Sequence, residues 1–126
     1  MKKNVKITKS HFSYPFITFT LKVGKEPIVE MICERQKDKL LLGDIREVFY
    51  RDKSINKGYG TILLKELFEY ANKKHISNIY GHLSLVDYDH KDRLIYFYEK
   101  HGFEITYYEE IRNKVFFAEI NKNAPF

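Results

Sequence analysis

Within NKGYGTILL, residues 56 to 64, the hydrophobic period of the chain changes, and that change limits the folds open to it. Upstream, PFITFTLKV (15 to 23) alternates. Ile17, Phe19, Leu21 and Val23 share one face and Thr18, Thr20 and Lys22 the other, as in a half-buried strand. Downstream of Gly60, Leu63, Leu64, Leu67, Phe68 and Ala71 recur at helical spacing, while Lys65, Glu66, Glu69, Asn72 and Lys73 face water. A strand cannot bury a 3.6-residue stripe and a helix cannot bury an alternating one, so this chain must pack helix on sheet.

The other segments extend that pattern. Gly24 and Pro27 turn the chain into a second strand, with Val29, Met31 and Cys33 on one face and Glu30, Ile32 and Glu34 on the other. LLLGDIREVFY (40 to 50) holds an apolar run that predicts a strand covered on both faces and central in the sheet. Ile45, Glu47 and Phe49 fall on one side of it, and Arg46, Val48 and Tyr50 on the other. ISNIYGHLSLV (76 to 86) reads as a strand and HKDRLIYFYEKHG (90 to 102) as a shorter helix that His101-Gly102 stops. FEITYYEE and NKVFFAEI finish as a hairpin around Arg112-Asn113. The order is three or four strands, helix, strand, helix, two strands. It predicts an α/β fold, a mixed sheet flanked by helices, in a single domain over residues 1 to 126.

Composition narrows the function classes. With 16% aromatic residues the chain has the side chains that reward burial, so a folded domain is expected throughout. The net charge of +5 favours anionic partners. The 17 acidic residues are interspersed with the basic ones and most aromatics fall in strand or helix stripes, so nucleic acid is not the expected partner. Cys33 is the single cysteine, which excludes an intramolecular disulfide and a multi-thiolate zinc site and points to a reducing compartment. Its alternation with Val29 and Met31 makes it a small core residue rather than an acyl carrier. No apolar stretch follows the early lysines and no segment has the length of a membrane span, so a cytoplasmic protein with no membrane partner is expected.

Lys57-Gly58-Tyr59-Gly60 lies directly before the long helix. Backbone N–H groups at a helix N-terminus lack internal partners and carry partial positive charge, so such a turn can cradle a phosphate. Equally, two glycines there can serve only positive φ or close packing. Two familiar phosphate loops fail on spacing. Gly60-Thr61 lacks the lysine of a Walker loop, and Leu63 stands where a dinucleotide fingerprint needs its third glycine. DYDHKD (87 to 92) crowds acids with a histidine but lacks the glycine and terminal glutamate of an EF-hand. It reads as helix-entry capping, and no metal is expected.

Together with FYEKHGFEI (97 to 105), the NKGYGTILL segment resembles the GNAT superfamily of acyl-CoA-dependent N-acyltransferases. Gly58 and Gly60 match the glycines of the family's Arg/Gln-x-x-Gly-x-Gly/Ala turn, with Ile55 where Arg or Gln is usual. Phe97, Tyr98, Glu99, Lys100, Gly102 and Phe103 match its second segment, with Lys91 and Leu94 at the Asn and Ala positions. The resemblance spans about residues 38 to 120. It implies a GNAT-like fold, acetyl-CoA as cosubstrate, and a pyrophosphate held by Asn56, Lys57, Gly58, Tyr59, Gly60 and Thr61. It also implies cofactor contacts from Arg93 and Phe97, and backbone contacts to the pantetheine arm and carbonyl oxygen from Val48, Phe49 and Tyr50. It places Tyr98 beside the sulfur as proton donor. Family members usually put two helices between their first and second strands, whereas only TKSHFSYP or so is free for them here. The acceptor site is therefore expected to be open, or completed by a second subunit in a homodimer.

For the base, Glu47 interrupts the apolar face between Ile45 and Phe49, where burial would raise a carboxyl pKa. A strand-end glutamate paired with a lysine is the alternative, and His82 and Asp44 are the other candidate bases. The expected activity is transfer of an acetyl group to the primary amine of a small molecule or protein by direct attack. The competing reading is a catalytically silent coenzyme A-binding or regulatory module.

Overall fold

A computed structural model describes residues 4–48, 58–112 and 115–126, apart from the side chains of residues 11–13, 44, 47 and 110–112. Seven strands form one sheet: β1 (Val5–Ser13), β2 (Phe16–Val23), β3 (Glu26–Gln36), β4 (Lys39–Glu47), β5 (Asn78–Ser84), β6 (Glu104–Arg112) and β7 (Phe116–Asn123). Their order across the sheet is β1-β2-β3-β4-β5-β7-β6. All neighbours are antiparallel except β4 and β5, which are joined by the crossover containing helix α1 (Tyr59–Lys73). Helix α2 (Lys91–Lys100) follows β5 through a 3-10 helix, Leu85–His90.

The alternation read from the sequence holds in β2 and β3, where Ile17, Phe19, Leu21, Val29, Met31 and Cys33 are buried. These meet Leu63, Leu64, Leu67 and Ala71 of α1, and Tyr70 joins them edge-on to Phe19 at 5.8 Å between ring centroids. Burying some twenty such side chains at ~25 cal/mol per Å² is the main force that fixes α1 to the sheet. Helix α2 ends as expected at His101 and Gly102, whose φ of +90° a residue with a Cβ rarely adopts.

Of the three or four strands expected before the first helix, four are present: the N-terminal segment forms β1, whose Val5, Ile7 and Lys9 pair with Val23, Leu21 and Phe19. Three expectations change. The strand read over 76 to 86 is shorter: it stops at Ser84, whose side chain accepts from the Val86 N–H and starts the 3-10 helix. The aspartates of DYDHKD do not cap α2; its N-cap is His90 and no side chain caps it. Strand β4 is central but is not covered on both faces. Leu40 and Leu42 are buried on the helix side, while Leu41 on the other side is half-buried. That second face carries Thr18, Thr20, Glu30, Glu34 and Arg46, polar residues that can meet water, and Arg46 Nε donates to Glu30 Oε1 at 2.7 Å.

Candidate active site

Strands β4 and β5 pair only from Lys39↔Asn78 to Leu42↔Gly81, and past that point they diverge. At the last pair a Cβ on Gly81 would sit 2.7 Å from the Leu42 carbonyl oxygen, so only glycine lets the strands come this close. The opening beyond it holds a cavity of about 760 Å³, lined by Leu42, Ile45, Leu83 and Ile120 and by Tyr98 of α2. Arg46, His82 and Phe116 line it as well. A second cavity, of about 610 Å³, lies against the first turn of α1, at Gly58, Tyr59, Gly60 and Thr61. Both share Asp87, His90, Arg93, Leu94 and Phe97, so together they make one groove from the start of α1 to the split in the sheet.

The two glycines of the turn serve different needs. Gly58, the N-cap, has φ +77° and ψ 11°, and a Cβ there would meet nothing within 4 Å; its reason is backbone conformation alone. Gly60 has ordinary helical geometry, but a Cβ would stand 3.0 Å from Phe97 Cζ, so its reason is close approach of α2. No side chain caps α1, and its first helical hydrogen bond runs from the Ile62 N–H to the Gly58 carbonyl. The N–H groups of Tyr59, Gly60 and Thr61 thus precede the helical ladder, and all three residues line the groove. Thr61 Oγ1 and His101 Nε2 are hydrogen-bonded at 3.0 Å, tying this turn to the end of α2. Burial, then Lys100, Lys65 and Lys122, push the His101 imidazole below its ordinary pKa.

Tyr98 is buried within α2, edge-on to Phe97 and Phe103 at 5.2 and 5.5 Å between centroids, and contributes to the wall of the split. It is at once a core tyrosine and a groove residue. Arg93 and Lys100 border the groove, whereas Lys91 bonds the Tyr88 hydroxyl at 2.9 Å and lies over that ring, away from the groove's lining. The Val48 N–H donates to the Ile28 carbonyl at 2.9 Å. It is spent on the sheet and cannot serve as an oxyanion donor, which corrects the expectation for Val48. Glu47 and Asp44 occupy register positions opposite Val29 and Ile32, and their side chains lie outside the described residues. Phe49, Tyr50, Asn56 and Lys57 also lie outside them. Cys33 is buried, its thiol pushed up to about 12 by desolvation, as fits a core residue. Among the described residues no three His, Cys, Asp or Glu side chains gather as a metal site, and no helix is long and apolar enough to cross a membrane.

The model of the acetyltransferase (GNAT) family matches residues 7–103, more than three quarters of the chain. The chain belongs to the GNAT family. Solved structures share the GNAT fold at low identity. An acetyltransferase of Bacillus subtilis in complex with CoA superposes with a TM-score of 0.72 at 13% identity, over 97% of this chain and 100% of that one. The PaiA N-acetyltransferase of Thermoplasma acidophilum in complex with coenzyme A gives 0.71 at 15% identity, over 87% and 62%. The uncharacterized protein YocC of Bacillus subtilis (strain 168) is 32% identical over an alignment of 98 positions, and the match covers 62% of this chain and 59% of that protein. This GNAT chain thus spans less than two thirds of YocC's length. Sequence reasoning missed Asp87, His90 and Leu94 as groove residues. Their only signal was position, between a strand and a helix that converge on the same turn.

Proposed function

We propose that this GNAT protein is an acetyl-CoA-dependent N-acetyltransferase acting by direct attack of a primary amine, carried by a small molecule or a protein. The observation that carries the reading is the continuous groove, which begins at uncapped amides and ends at a split in the sheet walled by Tyr98. Acetyl-CoA, when bound, supplies an acyl carbon activated by a thiolate leaving group.

The chain's own residues fit that cosubstrate. The amides of Tyr59, Gly60 and Thr61, beside Gly58, and the cations Arg93 and Lys100 suit an anionic diphosphate, and the family resemblance assigns Asn56 and Lys57 to the same ligand. Leu94 and Phe97 offer apolar surface for an uncharged arm. Leu42, Leu83 and Ile120 keep water from competing with the amine at the split. Amides of Phe49 and Tyr50 take the carbonyl oxygen as charge grows on it. The Tyr98 hydroxyl gives its proton to the sulfur as the carbon–sulfur bond breaks.

Calorimetry with coenzyme A and thiol release from acetyl-CoA, in the presence of polyamines, amino acids and peptides with free amino termini, test the proposal. Wild type is expected to bind and turn over. Tyr98→Phe is expected to lose turnover about a hundredfold or more while keeping its coenzyme A affinity. Full activity in that variant removes Tyr98 from the chemistry, and tight binding with no turnover on any amine supports the silent module instead.

A further inference from the structure

His82 occupies a distinct place in the groove. Asp87 and His90 line both of its cavities, whereas His82 lines only the one at the split, together with Tyr98. Its Nδ1 is hydrogen-bonded to the Tyr108 hydroxyl at 2.7 Å. Its ring is boxed in by Tyr80, Tyr108 and Phe116 at 6.1, 6.3 and 5.1 Å between centroids. Among the described residues, Glu119 stands opposite it in the β5–β7 register, and Arg46, paired with Glu30, lines the same cavity together with Asp87, His90 and Arg93. An imidazole with one nitrogen fixed by a partner and a cavity beside it has the arrangement of an oriented base.

We propose that His82 Nε2 takes the proton from the acceptor amine, and that Tyr108 is the positioning residue that fixes its tautomer. The proposal rests on the N-acetyltransferase reading. A phenol oxygen both donates and accepts, so Tyr108 can accept from Nδ1–H and leave the Nε2 lone pair for the substrate. At neutral pH a primary amine is an ammonium ion and sheds two protons on becoming an amide. His82 takes the first and passes it to solvent, freeing the lone pair that attacks the acetyl carbon. The second leaves nitrogen as the carbon–sulfur bond breaks and makes good the proton that Tyr98 gives to the sulfur. Ammonium plus thioester thus yields amide, thiol and one released proton.

Nitrogen-15 NMR of the histidine side chains tests the tautomer, with His82→Gln assigning the signal. Wild type is expected to carry hydrogen on Nδ1 and a bare Nε2, and Tyr108→Phe to lose that preference. Rates with acetyl-CoA and benzylamine across pH test the role. His82→Gln is expected to lower kcat about a hundredfold at neutral pH with coenzyme A affinity unchanged. Its rate should recover as alkaline pH deprotonates the amine directly. A hydrogen on Nε2 in wild type, a His82→Gln rate equal to wild type, or the loss appearing in Glu47→Gln instead, overturns the assignment while the transferase reading stands. If wild type binds coenzyme A but leaves benzylamine untouched, the tautomer decides. If it neither binds nor acetylates, the transferase reading fails and the assignment with it.

Discussion

Gly58 and Gly60 sit two residues apart in one turn, and the structure predicts that they tolerate different replacements. At Gly58 the constraint is φ +77° in open space. Alanine there costs about 1 kcal/mol for the left-handed conformation, and asparagine, which enters that region more readily, costs less. At Gly60 the constraint is contact: a Cβ would lie 3.0 Å from Phe97 Cζ and 3.2 Å from Cε1. Alanine gains up to ~1 kcal/mol in a helix interior, and less in the first turn. The Phe97 ring is itself braced by Tyr98 and His101 at 5.2 and 5.0 Å, so it must move as a packed unit, at an overpacking cost of about 1–3 kcal/mol. The sum is a loss of about 1 kcal/mol for Gly60→Ala, relieved when Phe97→Leu is added. Urea unfolding followed by circular dichroism reads the stabilities, and calorimetry with coenzyme A reads the turn. Gly60→Asn should be worse than Gly60→Ala, while Gly58→Asn should be better than Gly58→Ala. The contact argument falls if Gly60→Ala is neutral or if Phe97→Leu gives no relief; the conformational one falls if asparagine and alanine cost the same at Gly58.

Three further outcomes follow from single sites. Cys33, buried with its thiol pushed up to about 12, should resist iodoacetamide in the native protein and react in urea in step with unfolding; rapid native labelling would contradict its placement. His101 titrates below its ordinary value in the folded chain, so the unfolded chain binds more protons through the ordinary histidine range. Its contribution is intact above that range and is lost as pH falls through it; His101→Gln should flatten that part of the pH–stability profile, and superimposable profiles would refute the sign. Leu67→Ala, at a fully buried position on α1, should cost about 2–5 kcal/mol in the same urea assay, and a loss under 1 kcal/mol would mean the helix face is misassigned.

What could be read from the sequence was what is local. The alternation of Ile17, Phe19 and Leu21 and the stripe of Leu63, Leu64 and Leu67 are properties of short windows, and they fix which faces are buried. Phe97 and Tyr98 were legible because a contiguous segment carries them. Asp87, His90 and Leu94 were not, because they become site residues only when the chain after β5 folds back against the start of α1. Val48 went wrong for a related reason: whether its amide is free as an oxyanion donor depends on Ile28 of the neighbouring strand β3, twenty residues earlier, a separation that no window spans.

The feature on which the site depends most was nevertheless written into the sequence, in Gly43. Cys33 pairs with Leu42 and Ile32 with Asp44, so Gly43 is an extra residue in β4, and a Cβ there would sit 3.1 Å from the Ile32 carbonyl oxygen. Were Gly43 paired in regular register instead of bulged out, the alternation of Leu40 and Leu42 would carry Asp44 and Arg46 onto the buried face. With the bulge, Ile45 and Glu47 take the register positions opposite Met31 and Val29, and Arg46 turns to the open face where Glu30 meets it at 2.7 Å. The same residue marks the last point at which β4 follows β5, since their pairing ends at Leu42↔Gly81. A glycine interrupting an apolar strand signals a bulge, and here the bulge both keeps Ile45 and Glu47 in step with Leu42 and lies where the split begins. Gly43→Ala should therefore act on the groove more than on the core: a lost coenzyme A response in a protein that still unfolds cooperatively would bear this out, and an unaltered affinity would separate the bulge from the split.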